Sequence, residues 1–78
     1  MDWKKRIEIN PDIMLGKPVI AGTRIPVEQI LAKLAANMDI KAILRDFPRL
    51  TQEDIQAALA YASAAVGSEE IILTGSPK

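Results

Sequence analysis

The sequence contains no cysteine and no histidine. Without cysteine, neither disulfides nor thiolate metal sites can form, and nothing points to an oxidising compartment. Without histidine, the commonest general base, the commonest zinc ligand and the usual pH switch are all missing. Aromatic residues are scarce, with one Trp, one Tyr and one Phe, so any core must be aliphatic. No sign of charge dominates, because ten Lys and Arg balance ten Asp and Glu, unlike a free-standing nucleic-acid binder. No apolar run is long enough to span a bilayer. At 78 residues the chain is expected to form a single domain, 1–78, with a small core that a second copy would enlarge.

The start, "MDWKKRIEIN", has basic residues but no apolar segment behind them, so a soluble cytoplasmic protein is expected. Trp3, beside Lys4, Lys5 and Arg6, reads as a loosely packed terminal residue rather than a membrane anchor, since stable anchoring takes two signals.

Ile7 and Ile9 alternate with Arg6 and Glu8, the period of a half-buried strand. Asn10-Pro11-Asp12 marks a turn. Next comes "GKPVIAGTRIPV", in which Val19-Ile20 and Arg24-Ile25 flank a glycine turn at Gly22, the pattern of a small β-hairpin within residues 6–26. Three helices are expected over 27–66. Pro26 suits the first turn of the first helix, and Val27, Ile30, Leu31, Leu34 and Met38 form its apolar stripe, with Asn37 as its stop. Asp39 caps a short second helix carrying Ile40, Ile43, Leu44 and Phe47, which Pro48 ends. Thr51 to Asp54 resembles a capping box with Asp in the usual Glu or Gln position. Ile55, Ala58, Leu59, Ala62 and Val66 make the apolar face of the third helix, closed by Gly67. In the tail 67–78, Ile71, Ile72 and Leu73 need a partner, either the strand at Ile7 to Ile9 or another molecule. The fold class is therefore α+β and mostly helical.

The second and third helices, joined by "FPRL", have the outline of a helix-turn-helix. The candidate DNA contacts are Arg45, Arg49, Gln52 and Gln56, with Lys4, Lys5 and Arg6 also able to reach a backbone. Charge opposes this reading, because the third helix carries Glu53 and Asp54 where a recognition helix normally carries cations or amides.

No catalytic residue, metal ligand or cofactor is expected. A nucleophile would need a base beside it, Glu69-Glu70 reads as a solvated charge run, and Asp12, Asp39, Asp46 and Asp54 fall at turns or helix starts. The glycines do not match a phosphate-loop spacing. Arg24, at the hairpin edge, either locks the fold by bonding a carboxylate or a helix carbonyl, or contacts a ligand. Ala57, Ala60, Tyr61 and Ala64 lie on a second side of the third helix, where small residues permit a homodimer contact or simply favour helix.

"INPDIMLGKPVIAGTRIPV" followed by "ILAKLAANMDIKAILRDFPRLTQEDIQAALAYA" resembles the small bacterial and archaeal proteins known as domain of unknown function 433, over roughly Ile7 to Ala62. The resemblance implies a homeodomain-like helix-turn-helix fold with an N-terminal β element. It also implies that Gly16, Pro18, Gly22, Thr23, Arg24 and Pro26 carry the hairpin signature, and Leu50, Thr51, Asp54 and Ile55 the helical one. Members are often described as antitoxin-like and encoded beside a PIN-like nuclease toxin. The expected function is thus an antitoxin-like, non-enzymatic protein that neutralises such a partner, with Ile71 to Leu73 adding a strand or plug to it. The alternative is a dimeric helix-turn-helix regulator or operon autorepressor.

Overall fold

In the computed structural model, which describes residues 2–67, the two short strands come together across the first quarter of the chain. Strand β1, Ile7–Glu8, pairs antiparallel with β2, Val19–Ile20, in the register Ile7 opposite Ile20 and Glu8 opposite Val19. The partner of Ile7 is therefore β2. Ile71, Ile72 and Leu73, whose expected partner is either the strand at Ile7 to Ile9 or another molecule, lie outside the described residues. The glycine turn forms as well: the Ile20 amide donates to the Ile25 carbonyl at 3.0 Å, and Val19 bridges to Pro26. Gly22, at φ +80°, supplies the left-handed position that closes it. Ile9 does not continue the strand and is exposed.

Three helices follow: α1, Val27–Ala35, α2, Ile40–Asp46, and α3, Gln52–Gly67. Pro26 is the N-cap of α1 rather than a residue of its first turn. The Val27 amide is free to donate to the Pro18 carbonyl at 2.9 Å, tying the helix start to β2. Helix α1 ends earlier than its apolar stripe. Asn37 takes φ +67°, its amide donates to Leu34 O, and the Met38 amide donates back to Lys33 O at 3.0 Å. That pair of bonds satisfies the last carbonyls and turns the chain. Met38 still packs against the core, although outside the helix.

Asp39 caps α2 as expected, its carboxylate accepting from the Lys41 amide at 3.1 Å. Lys33 lies 4.0 Å from the Asp46 carboxylate and 5.5 Å from the Phe47 ring centre, linking α1 to the end of α2.

The core is aliphatic. Val19, Ile20, Val27, Ile30, Ile43 and Ile55 are the largest fully buried side chains, each contributing roughly 1.5–3 kcal/mol by its removal from water. The buried face of α3 differs from the one its hydrophobic pattern predicts. Asp54, Ile55, Ala57 and Ala58 are buried, whereas Leu59 and Val66 are 46% and 60% exposed. The buried face therefore includes a carboxylate and excludes two large aliphatic residues. The reason is tertiary: Arg6 reaches Asp54, and Trp3, in a single 3-10 turn over Trp3–Lys5, packs edge-on against Tyr61 with ring centres 5.1 Å apart. Trp3 is thus not loose, and Tyr61 serves the packing of the N-terminal turn.

Candidate functional site

The segment between β1 and β2 is not a plain loop. Asn10 begins a turn in which its side chain accepts from the Asp12 amide at 2.9 Å and its carbonyl accepts from the Ile13 amide. Met14, Leu15 and Gly16 then take φ values of +51°, +58° and +83°. Each non-glycine residue in this left-handed region costs roughly 1–2 kcal/mol, so Met14 and Leu15 together store strain that the surrounding bonds must hold. Those bonds are Gly16 N to Ile13 O at 3.0 Å, Lys17 N to Met14 O at 3.1 Å, and the Lys17–Glu28 ion pair at 2.9 Å. Leu15 is 94% exposed. The fold spends backbone strain to hold a leucine in water.

Beside this segment, Glu8, Ile13, Gly22, Thr23, Arg24 and Arg49 line an open groove of about 360 Å³. The Thr23 hydroxyl donates to Ile20 O at 2.7 Å and accepts from the Ile25 amide at 3.0 Å, so it fixes the turn that forms one wall. Arg49, from the α2–α3 connection, donates from Nη2 to the Gly22 carbonyl at 2.9 Å. It ties the turn to the helical half across 27 residues of sequence. Among the described residues, the side chains of Arg24 and Glu8 have no hydrogen-bond or ion-pair partner. Arg24 thus makes no locking bond among the described residues, and Arg49 holds the turn.

Of the hairpin residues named from sequence, Gly22, Thr23 and Arg24 meet at this groove. Gly16 closes the left-handed turn, Pro26 caps α1, and Pro18 accepts from the Val27 amide. Arg45, Gln52 and Gln56 are exposed on α2 and α3 and do not line the groove. Arg6 is drawn away by its 3.0 Å bond to Asp54. Ala57 is fully buried in the chain's own core and offers no surface to a second copy, because its side of α3 turns inward with Asp54 and Ala58. Ala60 is half-buried and Ala64 exposed. Sequence reasoning passed over Glu8, Ile13 and Leu15 as lining or displayed residues. The Asn10 turn flagged that region, but left-handed Met14 and Leu15 carry no local signal.

Among the described residues, no group of three or more acidic or other metal-ligating side chains comes together, and no helix is long and apolar enough to cross a membrane.

The family model for proteins of unknown function, DUF433, matches residues 7–62, which covers β1, the strained turn, the groove and most of α3. The chain belongs to the DUF433 family. The fold of this DUF433 chain is similar to the crystal structure of a DUF433 member from Anabaena variabilis ATCC 29413, with a TM-score of 0.77 and 33% identity, over 82% of this chain and 63% of that one. A curated relative, the uncharacterized protein y4eO of Sinorhizobium fredii (strain NBRC 101917 / NGR234), is 42% identical over 55 residues, which is 70% of this chain and 25% of the relative. The DUF433 chain thus matches about a quarter of the length of that relative.

Proposed function

We propose that this chain is an antitoxin-like binding protein that associates with a partner nuclease and neutralises it. The nuclease class, PIN-like, comes from the family resemblance. The observation that carries the protein-binding reading is Leu15, displayed at 94% exposure on two consecutive left-handed non-glycine residues. Strained backbone persists where the surrounding structure over-determines it, and it concentrates at functional positions. Ile9 and Met14 are also exposed in the same β1–β2 connection, and exposed apolar surface gathered in one region suits a protein partner. Ile13, one residue before the turn, lines the groove, so an apolar contact and an arginine contact lie within reach of one partner surface. A second copy of the chain would use Leu59 and Val66, seven residues apart and therefore on one face of α3.

The test is inhibition of any nuclease activity shown by the product of the neighbouring reading frame. Stoichiometric protein is expected to abolish cleavage; cleavage that persists at a large excess would contradict the reading.

One observation favours the second reading, a dimeric helix-turn-helix DNA regulator. Asp54 is paired with Arg6 and bonded to Thr51, so only Glu53, of the two acidic residues in the first turn of α3, remains to repel phosphate. In that case replacing both Arg45 and Arg49 by alanine weakens operator binding and flattens its salt dependence. The absence of retardation by the neighbouring promoter at low salt would sink it.

A further inference from the structure

We propose that the groove between the Gly22 turn and the α2–α3 connection is a carboxylate-binding site, which takes an acidic side chain from an extended peptide segment. The inference deepens the protein-partner reading and rests on it for the source of the peptide, though not for its test. Two guanidinium groups reach the groove. Arg49 commits one Nη2 donor to Gly22 O, a bond that orients its planar fork and leaves its other donors available. Arg24 keeps all of its donors, with no partner among the described residues. Two guanidinium groups at one groove are suited to a carboxylate, whose paired oxygens accept bidentate, charge-assisted bonds.

The other lining groups decide between peptide and nucleic acid. The Glu8 side chain is an acceptor without a partner among the described residues, and Ile13 is apolar. An acidic peptide answers all three chemistries: its carboxylate meets the arginines, its backbone N–H donates to Glu8, and its aliphatic stem lies against Ile13. A DNA backbone has no N–H donor to offer Glu8, whereas every peptide unit carries one. The Thr23 hydroxyl spends its bonds on Ile20 and Ile25, so its part is to keep the turn rigid. A volume of about 360 Å³ lies within the usual range for small-ligand pockets.

The site is tested on the full chain by amide-resolved NMR titration with three probes. These are a short acetylated and amidated peptide carrying adjacent glutamates, its glutamine counterpart, and a short DNA duplex. The glutamate peptide is expected to shift the amides of Gly22 to Ile25 and of Arg49. Both the glutamine peptide and the Arg24→Gln variant are expected to lower affinity about tenfold, the loss of a charge-assisted pair. Arg24 is exposed, so the variant should melt at the wild-type temperature, which separates binding from folding. No shift at these amides, equal binding of the two peptides, or binding unaffected by Arg24→Gln would overturn the site. Tighter binding of the duplex at the same amides would overturn it as well. Peptide binding without inhibition of the nuclease would leave the carboxylate site standing and remove the antitoxin reading; inhibition without peptide binding would remove the site alone.

Discussion

Thr51 and Asp54 cap each other: the Thr51 amide donates to Asp54 Oδ2 at 3.0 Å, and the Asp54 amide donates to Thr51 Oγ1 at 3.2 Å. The same carboxylate accepts from Arg6 Nη1 through its other oxygen at 3.0 Å. Asp54 thus starts α3 and fastens the N-terminal segment to it with one side chain. That is why a charged residue is buried in a domain with so small a core.

Asp54→Ala should be the costliest of the polar substitutions. It removes a reciprocal cap, worth about 1 kcal/mol, and a charge-assisted bond whose value is reduced because Arg6 is 41% exposed. The expected total is about 2 kcal/mol, measured by urea unfolding. Arg6→Ala should cost less, since Asp54 keeps the Thr51 amide. Equal losses would mean that the cap contributes little.

Much of this arrangement is legible in the sequence. Asp39 and Thr51 announce their helices through side-chain acceptors that act on adjacent amides, and the turn at Gly22 follows from one glycine between two short extended pairs. Local chemistry of that kind can be read from spacing. The Arg6–Asp54 pair joins residues 48 apart, and no local pattern contains it. That pair also explains why the buried face of α3 is not the one its periodicity predicts: periodicity counts Leu59 as core, whereas the capping Asp54 turns inward to meet Arg6. At the groove, Thr23 and Arg24 stand out in the sequence as part of the hairpin pattern. Glu8 and Arg49 reach it only because β1 pairs with β2 and the α2–α3 connection folds over the turn.

Gly22→Ala tests the turn itself. Nothing lies within 4 Å of the position a Cβ would take, and φ is +80°, so the cost is backbone strain alone, about 1 kcal/mol. A shift in the urea midpoint several times larger would point to crowding that the structure does not contain.

Ala57→Leu separates core from interface. Because Ala57 is fully buried within one chain, the larger side chain should overpack the core and cost about 1–3 kcal/mol at every protein concentration. A loss confined to the concentration range in which a dimer dissociates would return Ala57 to a subunit contact.

Leu15→Gly should stabilise the free protein. Relief of left-handed strain, roughly 1–2 kcal/mol, outweighs the added freedom of glycine in the unfolded chain, roughly 0.4–1 kcal/mol, and Leu15 has almost no burial to lose. The expected gain is about 0.5 kcal/mol, read from the thermal midpoint. A gain in stability coupled to a loss of binding is the pattern of a residue kept strained for function.

The most direct measurement is native mass spectrometry of the wild-type chain and of Leu15→Gly, each purified after co-expression with the neighbouring reading frame. The account expects a stable complex with a second protein for the wild type and its loss in Leu15→Gly, with both chains folded. A wild-type chain recovered only with itself, or a complex indifferent to Leu15→Gly, would contradict the claim that this strained turn is where the protein meets its partner.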